Sequence, residues 1–173
     1  MRTCILFLAV VLGLAPFSEA PAEQDKIAEM QARFDRESNS VHRVKLFEKL
    51  GDEELAKTRN VSSADDYRAV AQILETYRNN ARIALDSLKK QHPDAEKQLG
   101  GYKQLQMHIY KGIRELDETL LVSPPDFKPP LELVRQDLVD MDKELLHSIF
   151  PHRPIKTGKK DAAPAPVPSQ EKP

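Results

Sequence analysis

Residues 62–91, SSADDYRAVAQILETYRNNARIALDSLKKQ, decide the fold. Tyr67, Val70, Leu74, Tyr77, Ala81, Ala84 and Leu88 recur at alternating spacings of three and four. That spacing places all seven on one stripe of an α-helix. Ile73 and Leu85 widen the stripe on its flanks, so the helix is expected to touch more than one neighbour. Ser63 with Asp66 resembles a capping box, Asp replacing the usual Glu or Gln. Asp65 and Asp66 sit at the positive end of the helix dipole, Lys89 and Lys90 at the negative end. His92-Pro93 stops the helix. A helix of about 28 residues is about 42 Å long and cannot bury its stripe alone. Other helices must pack along it.

Upstream, Ile27, Met30 and Phe34 mark a helix over Glu23 to Glu37. Ser38-Asn39-Ser40 interrupts the pattern, because these side chains compete for backbone hydrogen bonds and favour caps. A break is expected there, with Asn39 or Ser40 capping the next helix; the alternative is one continuous helix to Arg59. Val41, Val44, Phe47, Leu50 and Leu55 give the second helix its face, and Gly51 permits close packing against a neighbour. Asn60 to Ser63 is read as the turn into the central helix.

Leu50-Gly51 followed by Asp66-Tyr67-Arg68-Ala69 resembles the helix-turn-helix unit of tetratricopeptide repeats. The resemblance covers about 30 residues in a single copy and implies an antiparallel helical hairpin. In overall layout the chain is also similar to exported bacterial α-helical proteins.

Downstream, Asp94 to Leu99 reads as a short helical turn, and Gly100-Gly101 as a kink or re-start. Tyr102, Leu105, Ile109, Gly112 or Ile113, Leu116 and Leu120 form the next stripe. Ser123 to Pro130 holds four prolines in eight residues and reads as a stiff, extended connector. A proline at the first helical position then opens a last helix, whose stripe is Leu131, Val134, Leu138, Met141, Leu145 and Ile149. The expected fold is therefore all-α, an antiparallel helical bundle of four to five helices. No stretch alternates at period two, so no strand is expected.

The ends set the expected compartment. Met1-Arg2-Thr3 and the apolar run Cys4 to Ala15 read as a signal peptide over residues 1–22, too short to span a bilayer. Cleavage after Ala20 or after Ala22 fits the small-x-small rule; the second avoids proline after the scissile bond. An uncleaved anchor or buried helix is the alternative. No transmembrane segment is expected after its removal. Cys4, the single cysteine, would leave with the leader. A cysteine-free exported domain suits a bacterial envelope, secreted or periplasmic. Residues 23–150 form the expected helical domain. Residues 151–173, rich in Pro, Ala and Lys, form an expected disordered tail whose Lys156, Lys159 and Lys160 make a small basic cluster.

Charged residues make up 31% of the chain with a net charge of −1, which argues against nucleic-acid binding. Glu144 and His147, with Asp140 one turn earlier, have the Glu-x-x-His spacing of di-iron bundles. A complete site needs a second such pair, and no other histidine has Glu three residues before it. His108 beside Met107 and Tyr110 reads as a boundary residue. There is no Cys-x-x-Cys-His, His-Glu-x-x-His, Gly-x-Ser-x-Gly or phosphate loop. No catalytic, cofactor or metal residue is assigned, and a non-enzyme is expected. Tyr67, Tyr77, Tyr102 and Tyr110 read as packing residues, or as a Tyr- and Met-lined groove for a peptide or helix partner. The expected function is binding of a macromolecular partner, or of itself, through a helical face in the cell envelope. The alternative is a periplasmic metal- or stress-responsive sensor of chaperone-like kind.

Overall fold

The computed structural model describes residues 21–151; the first 20 residues of the expected leader and residues 152–173 of the expected tail lie outside the described residues. Five α-helices follow in order: α1 (Pro21–Arg36), α2 (Ser40–Ser63), α3 (Tyr67–Gln91), α4 (Leu99–Val122) and α5 (Lys128–Ile149). Among the described residues there is no strand. None of the described helices is long and apolar enough to cross a membrane.

The break at Ser38 to Ser40 is real. Asn39 caps α2, its side chain accepting from His42 N at 3.0 Å. Gln91 secures the linker from α3: its Nε2 donates to Ser38 O at 2.6 Å and its Oε1 accepts from Ser40 N at 3.0 Å. Arg43 adds a second tie, donating to Ser87 Oγ at 3.0 Å and to Glu37 O, with its guanidinium 5.8 Å from the Phe34 ring centroid.

The turn into α3 is three residues later than the sequence suggests. Asn60 to Ser63 stays helical, and Ser63 Oγ bonds back to Arg59 O at 2.7 Å instead of capping α3. Asp65 takes a left-handed conformation (φ 59°) and ends α2. Asp66 is the N-cap of α3, accepting from Ala69 N at 3.1 Å. The expected Ser63–Asp66 capping box is thus corrected: Asp66 acts as the cap, not as its distal partner.

Gly100-Gly101 proves to be a re-start. Ala95 to Gln98 forms hydrogen-bonded turn, and α4 begins at Leu99 with both glycines in its first turn. The proline-rich connector is more compact than expected. Only Ser123 (ψ 139°) and Pro124 (ψ 151°) are extended; Pro125–Phe127 makes a 3-10 turn, and Pro129 and Pro130 lie in the first turn of α5. Prolines cost no hydrogen bond there, because first-turn N–H groups have no intrahelical partner.

α2 and α3 pack as one antiparallel pair and α4 and α5 as another. Side-chain pairs fix how the pairs stack. Arg78–Asp137 and Arg82–Glu144 set α5 parallel beside α3. Lys111–Asp52 and Arg59–Glu115 set α4 parallel beside α2. The core runs along the centre: Phe47, Leu50, Leu74, Tyr77, Leu85, Leu88, Leu105, Ile109, Leu116, Leu131, Leu138 and Leu145 are fully buried. Each such aliphatic side chain contributes about 1.5–3 kcal/mol before entropy is subtracted. α1 docks on α2 through Phe34, whose ring lies 6.5 Å from that of Phe47.

A buried polar core and an exposed helix face

Tyr77 sits where α2, α3 and α4 meet. A Cβ at Gly112 would lie 2.5 Å from the Tyr77 hydroxyl, and one at Gly51 would lie 2.8 Å from its ring and 2.6 Å from His108 Cε1. The two glycines therefore let the α2 and α4 backbones close on the ring from either side. Gly51 does what its sequence position suggested. The Tyr77 hydroxyl lies 3.0 Å from His108 Nδ1 and 2.9 Å from His108 O. His108 Nε2 lies 3.2 Å from Asp52 Oδ1, which also accepts from Lys111 Nζ at 2.7 Å.

Burial holds the His108 imidazole below its ordinary range, against the pull of Asp52. The ring is neutral at pH 7, and an ionised Asp52 can only accept, so Nε2 carries the proton, and Nδ1 and His108 O share the single proton of the Tyr77 hydroxyl. Burial pushes the Asp52 carboxyl up, but Lys111 and His108 together outweigh it and hold it below the usual carboxylate range. Burial, with Glu54 and Asp52 nearby, keeps the Tyr77 phenol protonated. The chain Lys111–Asp52–His108–Tyr77 thus runs from solvent into the core with each group satisfied. His108, expected at a boundary, is 5% exposed and lies inside the core, its ring 5.1 Å from that of Phe47.

A second buried polar group lies under α1. Glu54 is 2% exposed. Its Oε1 accepts from Asn80 Nδ2 at 3.2 Å, and Asn80 exchanges bonds with Gln31 of α1 at 2.8 and 3.1 Å. Glu54 Oε2 has no hydrogen-bond partner. Burial pushes this carboxyl up to about 8, with the Asn80 bond opposing. Beside it, Ile27, Lys57, Gln72, Ile73 and Thr76 complete a cleft of about 200 Å³. Glu54 falls on the core stripe of α2 with Phe47, Leu50, Gly51 and Thr58, a position that as a charged residue it does not announce in the sequence.

The residues with di-iron spacing are engaged otherwise. Glu144 accepts from Arg82 at 3.2 Å and from Lys89. Asp140 accepts from Gln136 at 3.0 Å and Lys143 at 2.8 Å. His147 lies in the last turn of α5. Among the described residues no group of three or more His, Cys, Asp or Glu is disposed to hold a metal ion.

The four tyrosines divide. Tyr67, Tyr77 and Tyr102 are buried; Tyr67 Oη donates to Val122 O at 3.2 Å and Tyr102 Oη to His92 O at 2.8 Å. Tyr110 is 54% exposed on α4, next to Met107 at 60%. One turn after another, Lys103, Met107, Tyr110, Lys111, Arg114, Glu118, Leu121 and Val122 form the outward stripe of that helix. Leu121 is the most exposed large apolar residue described, at 82%. A shallow cleft of about 300 Å³ opens among Met107, Tyr110, Lys111, Arg114, Glu115 and Glu118. No family model, curated protein or solved structure matches the chain.

Proposed function

We propose that the protein is an exported, non-catalytic binding module that engages a macromolecular partner through the outward face of α4. The observation that carries this reading is the run of Met107, Tyr110, Leu121 and Val122 left exposed on a helix whose other faces are packed. Solvent-facing helix positions favour charged residues, and large apolar side chains in register along one face mark helix-mediated recognition. Met adapts to irregular surfaces, and Tyr gives large contact area at low entropy cost. The basic and acidic groups between them supply a polar frame.

Native mass spectrometry of the protein taken from its host's envelope tests this. The wild type is expected to retain a protein partner or a second copy. Met107→Glu with Leu121→Glu is expected to emerge as a bare monomer with an unchanged melting temperature, because both side chains are solvated in the free fold. A bare wild-type monomer, or a complex that survives both substitutions, contradicts the proposal.

A second reading, a stress-responsive sensor, draws support from Glu54, a buried carboxyl whose ionisation is linked to the docking of α1 through Asn80 and Gln31. Its test is the pH dependence described below.

A further inference from the structure

The proposed binding face has a charge order that suits one partner in particular. Along α4 the basic groups Lys103, Lys111 and Arg114 come first, and the acidic groups Glu115 and Glu118 follow. Apolar residues close both ends of the stripe, Met107 towards the start and Leu121 and Val122 at the finish. A second copy of α4, laid antiparallel with the two-fold axis passing between Arg114 and Glu115, meets this order in reverse. Met107 then falls opposite Val122, Lys111 opposite Glu118, and Arg114 opposite Glu115. A parallel copy would instead oppose Lys111 to Lys111 and Glu118 to Glu118.

Resting on the reading of α4 as the binding face, we propose that its partner is a second copy of this chain, forming a two-fold antiparallel helix pair across α4. Two-fold pairing needs a self-complementary patch, and this face is self-complementary in both charge and apolarity. Lys111 and Glu115 also make ion pairs with Asp52 and Arg59 of α2, so a second copy would have to share these charges, while Arg114 and Glu118 face outward on the stripe. One helix face of 24 residues is about 36 Å long. It buries less than the ~800 Å² per partner of a standard interface, so the pair dissociates on dilution.

Cysteine cross-linking reads the register directly, because residues 23–173 contain no cysteine. Oxidised at high protein concentration, Arg114→Cys is expected to cross-link to itself, since position 114 lies beside the axis. Met107→Cys and Val122→Cys are each expected to stay monomeric alone and to cross-link when mixed. Sedimentation velocity of the wild type under reducing conditions should show a dimer that weakens with dilution and on Glu118→Lys. Self-cross-linking of Met107→Cys would establish a parallel pair and overturn the proposal. So would a wild type that sediments as a monomer at every concentration. If that monomer still holds another protein in its native mass spectrum, the self-pairing fails and the α4 binding face stands. If it holds none, both fail.

Discussion

At the scale of single residues, the three-helix junction depends on how little room surrounds Tyr77. Gly112→Ala places a methyl 2.5 Å from the Tyr77 hydroxyl, with helix backbone behind it. The expected loss is about 1–3 kcal/mol, read as a lower midpoint in urea unfolding. Tyr77→Phe keeps the ring but leaves His108 Nδ1 buried without its donor, at a cost of about 1–3 kcal/mol. Glu54 predicts a pH effect. Its folded value is raised above the unfolded one, so its contribution to stability is intact below the ordinary carboxylate range and is lost as pH rises towards about 8. The loss reaches roughly 3 kcal/mol by pH 7. Glu54→Gln carries no ionisable group, so its advantage over the wild type in thermal melts should grow between about pH 5 and pH 8. Equal pH slopes would show that Glu54 is solvated or ion-paired in solution. Neither the junction nor the Glu54 cluster was legible in full from the sequence. Gly51 and Tyr77 each lay on an apolar stripe, but periodicity within one helix cannot say which stripes meet. Glu54 and His108 were hidden for the same reason: a polar residue on a core stripe reads as surface until its partners from other helices are known.

At the scale of elements, the legible features were those with local causes. The stripe of α3, the stop at His92-Pro93 and the Asn39 break depend on neighbours in sequence, and all three are present. The α2–α3 boundary moved because two local signals compete. Ser63 is a good cap by type, but α2 continues through Asn60 to Ser63 against their weak propensity, and the Ser63 hydroxyl bonds a carbonyl one turn back while Asp66 takes the cap. Asp66→Ala should therefore cost about 1 kcal/mol, whereas Ser63→Ala should be nearly neutral. A larger loss for Ser63→Ala in chemical unfolding would restore the earlier boundary. The connector into α5 moved for a related reason, since proline is excluded from helix interiors but tolerated in a first turn. The central helix carries the strongest expectation. Leu74 is fully buried among the bundle helices, so Leu74→Asp places an unpaired charge in the seam. Loss of the far-UV helical signal at room temperature is the expected result.

For the whole molecule, stripes that must be buried and short connections were enough to imply an all-α antiparallel bundle. How the two hairpins stack was not legible, because it is set by pairs such as Arg78–Asp137 and Arg59–Glu115 that are far apart in the chain. The exposed stripe of α4 was visible only in outline, as Met and Tyr near His108; that it faces solvent follows from the side α4 gives to α2 and α5. The central claim is that this face is where the molecule meets its partner. A photoreactive amino acid placed at Tyr110 and, separately, at Glu75, an exposed position on α3, tests it in the intact envelope. Illumination is expected to give a discrete cross-linked band from position 110 and none from position 75. Equal labelling from both positions, or none from position 110, would contradict the account.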